Sequence, residues 1–189
     1  MDGWLWCGGR VCLDFTNTLR DRWQVPRETL LEPDDVVRWL NDAGLLTAGD
    51  APTASLRSAV ELREAIDRAV LRMADGDLPA PEDITVINEA SAAVPRPTLR
   101  LVLSGGRLAS TTGAHVAETA TAGLGLVAQD AIELLLSPEI RRVRICGSER
   151  CGLRFVDRSP ARNRRWCSMT RCGNRTKVRL HQARSRARG

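Results

Sequence analysis

Four of the six cysteines form two pairs with the same spacing, which suits a tetrahedral metal site. Four residues separate Cys146 from Cys151 and Cys167 from Cys172, and 15 residues lie between the pairs. Two close pairs of thiolates brought together by a loop are the donor set that structural zinc sites use. We therefore predict one structural Zn²⁺ per chain, held by Cys146, Cys151, Cys167 and Cys172.

Other uses of the four cysteines stay open at this point: an iron–sulfur or rubredoxin-like iron site, disulfides, or free thiols. Residues 1–4 show neither the basic nor the apolar segment of a secretory signal, so we expect a reducing compartment in which disulfides are rare. No stretch approaches the roughly 20 apolar residues of a membrane span, and we expect no membrane partner.

Residues 140–189 contain few large apolar side chains for their length. These are Ile140, Val143, Ile145, Leu153, Phe155, Val156, Trp166, Met169, Val178 and Leu180. A module this small and polar cannot fold through its own burial. Structural zinc contributes on the order of 10 kcal/mol in finger peptides and could supply the missing free energy. The thin core also implies that the basic side chains form the surface of the module.

The net charge of +5 at pH 7 combines two segments of opposite sign. Residues 140–189 contain 16 Lys and Arg against Glu149 and Asp157, a balance of +14. Residues 1–139 contain 12 basic and 21 acidic side chains, a balance of −9. An acidic body joined to a strongly basic module is typical of proteins that bind polyanions.

These patterns predict an α+β protein. Its mostly helical N-terminal domain has short β-hairpins and spans residues 1–138, and a small C-terminal four-cysteine zinc finger that ends in a basic helix spans residues 139–189. Apolar residues recur every three or four positions in the predicted helices, at residues 33–44, 54–75, 81–90 and 116–136. Residues 13–18 are expected to lead into a short helix that ends near Arg22. Gly-Gly pairs predict β-hairpins at residues 4–12 and 99–111.

Three segments of the basic module resemble the CGNR-type zinc finger family: FVDRS (155–159), RRWCSM (164–169) and CGNRTK (172–177). Members of that family also carry an N-terminal ABATE domain, and LDFTNT (13–18) is similar to its opening. The resemblance covers nearly the whole chain. It implies a stress-induced transcription regulator with zinc and DNA binding in the finger, and it places the four cysteines above at the metal-ligand positions.

Two basic clusters of the finger are candidate contacts to nucleic acid, because guanidinium groups bind phosphate or the edge of guanine in a bidentate manner. The loop candidates are Arg158, Arg162, Arg164 and Arg165, and the candidates on the expected helix are Asn174, Arg175, Lys177, Arg179 and Arg184. Asn174 has a second interpretation as a helix cap. Val178 is expected to face inward.

In the N-terminal domain, Asp14, Asn17 and Thr18 are candidate contacts to a small-molecule effector. Asp14 has alternative roles as a helix cap or as the ionic partner of Arg10. Cys7 and Cys12 share the four-residue spacing, but we interpret both as small buried residues.

The sequence contains no catalytic pattern. Neither of its two histidines lies beside a serine or cysteine, and four cysteines leave no open position on zinc. We therefore expect a cytoplasmic, nucleoid-associated DNA-binding regulator, not an enzyme, whose N-terminal domain senses a ligand or forms a homodimer. The alternatives are a module that binds RNA or an acidic protein, a small-molecule enzyme tethered by the finger, and a redox sensor that releases zinc on oxidation.

Overall fold

The computed structural model describes residues 3–47, 55–95, 100–105, 107–111, 116–174, 176–179 and 182. Its α-helices are α1 (Val11–Thr16), α2 (Pro33–Asp42), α3 (Leu56–Asp75), α4 (Pro81–Ala92) and α5 (Ala120–Leu136). Its strands form two-stranded antiparallel sheets: β1 (Leu19–Arg20) with β2 (Arg27–Glu28), β3 (Arg100–Ser104) with β4 (Arg107–Thr111), and β5 (Val143–Ile145) with β6 (Arg154–Val156). A 3₁₀ turn spans Pro138–Arg142 and a π-helical turn spans Met169–Gly173. The predicted α+β class is confirmed.

The helices enclose the larger of two hydrophobic cores. Phe15 and Trp39 are fully buried there, with their ring centroids 4.9 Å apart. α5 packs closely on α4 because Gly125 has no side chain: a Cβ at this position would lie 2.8 Å from the carbonyl oxygen of Ala90. Within the described ranges, no helix combines the length and the apolar character needed to cross a bilayer.

Local capping explains where the helices begin. Glu32 and Asp35 form a capping box at the start of α2. The side chains of Ser55 and Thr119 accept backbone N–H groups at the starts of α3 and α5. Because Thr119 is the cap, α5 begins at Ala120, four residues later than its apolar periodicity predicts.

The β-hairpin predicted at residues 4–12 is wrong, because residues 3–10 form no strand and α1 begins at Val11. The carboxylate of Asp14 accepts the backbone N–H groups of Cys7 at 2.9 Å and Gly8 at 2.7 Å. These donors are therefore bound to a helix side chain instead of to a paired strand. The carbonyl oxygen of Gly8 accepts the N–H of Val156 at 2.8 Å, which ties this segment to β6.

The short helix predicted to end near Arg22 is wrong in its limits, because α1 spans Val11–Thr16, a turn follows at residues 17–18, and Leu19–Arg20 forms β1. The remaining predicted elements of the N-terminal domain agree with the structure. The limits of α2, α3 and α4 lie within two residues of the predicted ones, and β3 and β4 pair around Gly105 as expected, although Gly106 lies outside the described residues. The pairs β1–β2 and β5–β6 were not predicted. Strands of two or three residues are too short for an alternating pattern to reveal them.

β6 joins the helical body to the C-terminal region, and all three of its residues are buried. Val156 packs in the larger core, whereas Phe155 lies in a second core with the four paired cysteines. The side chain of Asn17 donates to the backbone oxygen of Arg154 and accepts its N–H, both at 2.9 Å. The Arg154 guanidinium forms a bidentate ion pair with Asp67 of α3, at 2.6 and 2.8 Å. β6, a strand of the C-terminal region, therefore packs against both of the regions that were predicted as separate domains.

Arg154→Ala should lower the free energy of unfolding by about 3 kcal/mol, because it removes one partner of a buried ion pair. Arg158→Ala is the matched control, since Arg158 pairs with Glu139 at the surface and an exposed pair contributes under about 1 kcal/mol. Urea denaturation followed by circular dichroism measures both variants. Equal losses in the two would contradict the role given to Arg154.

Candidate metal centre

The four cysteines predicted as ligands lie together in the second core. Their Sγ atoms are all within 4.8 Å of one another, and all four residues are buried. The Sγ of Cys167 lies 3.6 Å from that of Cys151 and 3.7 Å from that of Cys172. The predicted metal site required the two cysteine pairs to lie close together, and in the structure they do.

The β5–β6 sheet positions the first pair. Cys146 follows β5, and its N–H donates to the carbonyl oxygen of Leu153 at 2.8 Å, which closes the loop that carries Cys151. Gly152 ends this loop with a φ of 65°. Only glycine adopts that angle without strain, and here the ring of Trp23 also leaves no space for a Cβ.

The π-helical turn positions the second pair. Ser168 precedes the turn, its side chain accepts the N–H of Arg171, and its carbonyl oxygen accepts the N–H of Cys172 at 3.0 Å. The N–H of Cys167 points to the Sγ of Cys146 at 3.4 Å. Both halves of the cluster are thus held by backbone hydrogen bonds.

The donor set fits one structural Zn²⁺. Hydrogen bonds from the thiols of Cys151 and Cys167 lower the pKa of Cys146 well below its usual range. The same hydrogen bond to Cys146 raises the pKa of Cys151, and the pKa of Cys167 is raised likewise. The thiolate of Cys146 is stabilised by its neighbours, and a bound cation would favour ionisation of Cys151 and Cys167, whose pKa values are raised. Four sulfur ligands leave no open coordination position, so the zinc is structural.

Arg164 contributes to the architecture of the finger. Its guanidinium lies 4.6 Å from the centroid of the Phe155 ring. Its Nε donates to the carbonyl oxygen of Trp166 at 2.8 Å, and its Nη2 donates to that of Cys167. The side chain therefore holds the backbone just ahead of the second cysteine pair.

The other loop candidates differ in their surroundings. Arg158 forms a bidentate ion pair with Glu139, at 2.9 and 3.2 Å. Arg162 and Arg165 are exposed, and neither has a carboxylate within 4.0 Å among the described residues. Arg165 lies over the ring of Trp166, 5.5 Å from its centroid.

The described residues after the π-helical turn, namely Asn174, residues 176–179 and residue 182, are helical. Asn174 and Lys177 are exposed, and Arg179 forms an ion pair with Glu149. Arg175 and Arg184 lie outside the described residues.

Two predictions for this helix disagree with the structure: that Asn174 caps it, and that Val178 faces inward. Asn174 has helical φ and ψ of −66° and −42°, whereas an N-cap residue is extended, and Ser168 has that extended conformation. The prediction that Val178 faces inward is wrong, since its side chain is 57% exposed. The second core ends at Cys172, so the helix runs beyond the apolar side chains that could cover it.

Asp157 is a structural residue of the finger that the sequence reasoning missed. It is buried, and its carboxylate accepts the N–H groups of Ser159 and Arg164 at 2.9 Å each, which folds the intervening loop back on itself. The available signal in the sequence was that acidic residues are rare in this segment. An acidic side chain in so basic a segment is expected to have a specific partner.

The effector candidates use much of their hydrogen-bonding capacity within the protein. Asp14 accepts two N–H groups of the segment before α1, and Asn17 makes two hydrogen bonds to the backbone of β6, as described above. The hydroxyl of Thr18 donates to the carbonyl oxygen of Phe15 and accepts from Arg63. Asp14 is not the N-cap of α1, and Arg10 pairs instead with Asp130 at 2.8 Å. Effector binding by these residues stays a prediction.

Cys7 and Cys12 are not members of the four-sulfur cluster. Cys12 is fully buried in the larger core, and burial raises the pKa of its thiol. Cys7 is partly buried and packs against the second core.

Fold and site define a helical protein whose C-terminal region is a four-cysteine zinc finger. A family model for ABATE, described as "Putative stress-induced transcription regulator", matches residues 9–138, more than half of the chain. The CGNR zinc finger matches residues 142–185, which include all four clustered cysteines. The chain belongs to the ABATE family and carries a CGNR zinc finger. No curated protein matches it.

Cys146→Ser should abolish zinc binding and unfold the region around the second core, because three thiolates cannot complete the site. Cys12→Ala is the matched control and should retain one zinc per chain. Elemental analysis of the purified proteins gives the stoichiometry, and circular dichroism follows folding. A finger that stays folded after complete removal of metal would refute the structural role of zinc.

Asp14→Asn should flatten the dependence of stability on pH. Burial raises the pKa of Asp14 to about 6, above the value of about 3.9 for an unfolded aspartate. Its contribution to stability is therefore complete below about pH 4 and is lost as the pH rises through about 6. Asparagine keeps an oxygen for both N–H groups and removes the charge.

Urea unfolding at a series of pH values tests this expectation. Asp14→Leu, which has no acceptor, should be less stable than the native protein at every pH. If Asp14→Asn retained the native pH dependence, another group would have to account for it.

Proposed function

We propose that the protein is a zinc-dependent DNA-binding transcription regulator whose finger contacts DNA through exposed basic side chains. Zinc organises the finger in this proposal and takes no part in chemistry, and the protein is not an enzyme. It acts in the cytoplasm, associated with the nucleoid.

The observation that carries the proposal is a group of exposed cations on the finger that have no carboxylate within 4.0 Å among the described residues. They are Arg141, Arg144, Arg150, Arg162, Arg164, Arg165 and Lys177. Ion pairs use Arg154, Arg158 and Arg179, so they neutralise only three of the 16 basic side chains in residues 140–189. The remaining cations suit a polyanion, since each can displace a counterion from a phosphate.

The helix after the π-helical turn is the element that supports duplex DNA as the polyanion. A helix fits the major groove of B-DNA, where Arg and Lys can bind the O6 and N7 atoms of guanine. Lys177 and Val178 are exposed on this helix, so its outer face is free to approach bases while the loop cations contact the backbone.

The helical body has two candidate roles, sensing a small-molecule effector and forming a homodimer. Its contact with the finger through Asn17 and Asp67 supports a coupling between body and finger. A shift of α1 or α3 would move β6 and with it the cysteine cluster.

DNA affinity should fall steeply with salt, by roughly 10³–10⁵ between 50 and 200 mM if 6–10 phosphates are contacted. Arg162→Gln and Arg165→Gln should each lower the slope of log affinity against log salt by about 1. Arg57→Gln, an exposed substitution on α3, is the matched control and should leave the slope unchanged. Fluorescence anisotropy with a labelled duplex measures all three.

Selection of bound duplexes from a random pool tests sequence recognition, using the zinc-loaded protein. An enriched motif supports a regulator, and a palindromic motif supports a dimer. A flat salt response together with no enrichment would contradict DNA binding and would direct the search to RNA or an acidic protein.

A further inference from the structure

A cavity of about 310 Å³ lies at the start of the finger, just after the helical body ends. The 3₁₀ turn, the start of β5 and the segment after β6 form its walls. Its lining residues are Pro138, Arg141, Arg142, Arg144, Asp157 and Arg162. Four of these six residues are arginines that belong to three different parts of the chain.

The charge of this cavity is predominantly positive, with four arginines and one aspartate in the lining. Within the part of the chain that the structure describes, none of its four arginines has a carboxylate within 4.0 Å. The single acidic residue, Asp157, uses its two oxygens to accept the N–H groups of Ser159 and Arg164. Glu139, on the same turn, pairs with Arg158 and lies outside the lining.

Two of the four arginines are fixed by backbone hydrogen bonds. Nη1 of Arg144 donates to the carbonyl oxygens of Arg141 and Val143, at 2.9 and 2.8 Å. Arg162 has a φ of 50°, a left-handed conformation that is uncommon for residues other than glycine. Arg162 therefore reaches the cavity from a tight turn, in which its N–H donates to the carbonyl oxygen of Ser159.

We propose that this cavity is a binding site for a phosphate group, carried by a phosphorylated small molecule or by the DNA backbone. Guanidinium forks match the geometry of phosphate oxygens, and converging arginines are typical of phosphate sites. The volume is at the lower end for ligand pockets and suits a di- or triphosphate.

Calorimetric titration of the zinc-loaded full-length protein with pyrophosphate, at constant ionic strength, tests the proposal. We expect one saturable site per chain. Arg142→Gln and Arg162→Gln should each weaken binding about tenfold, since each removes charge-assisted hydrogen bonds. Arg57→Gln, an exposed substitution on α3 outside the cavity, should leave binding unchanged. Zinc content and melting temperature verify that each variant is folded.

Non-saturating binding, or equal weakening by Arg57→Gln and Arg142→Gln, would overturn the proposal, because both results indicate binding that is not confined to the cavity. A second arm adds a saturating amount of duplex DNA. Unchanged pyrophosphate binding assigns the site to a small molecule, whereas full displacement assigns it to the DNA backbone. The first arm contains no DNA, so a failure of DNA binding and a failure of the phosphate site give different results.

Discussion

The Arg154 guanidinium is buried between the two hydrophobic cores, where an unpaired charge would be strongly destabilising. Asp67 supplies the opposite charge from α3, and Asn17, just after α1, binds the backbone of the same residue. These contacts fix β6, which places Val156 in one core and Phe155 in the other. The orientation of the finger relative to the body follows from this strand.

The small size of the second core explains both why the finger needs zinc and why its arginines lie at the surface. Apart from the four cysteines, only Leu153 and Phe155 are fully buried in it among the described residues. Such a core cannot hold the chain in place without a metal, and it cannot enclose the basic side chains. The metal site therefore stabilises a surface that is basic because its core is small. Arg164 belongs to both features, since it braces the backbone before Cys167 and carries part of the charge.

The sequence was informative where one local pattern decides the outcome. Paired cysteines at equal spacing predicted the metal cluster, and apolar periodicity predicted α2 to α4. The hairpin prediction at residues 4–12 failed because a Gly-Gly pair describes a turn but not the partner of the donors around it, which is Asp14. The pairing of Arg154 with Asp67 joins residues far apart in the chain, and a single sequence carries no signal of such a contact.

The central claim is that the four-cysteine zinc site holds the C-terminal region in the arrangement that exposes its arginines. Hydrogen exchange with mass spectrometry, on the zinc-loaded protein and on the protein after chelation, tests it most directly. We predict that chelation removes protection from β5 to the π-helical turn, while α3, α4 and α5 keep theirs. Unchanged protection around the four cysteines after complete removal of zinc would contradict the account.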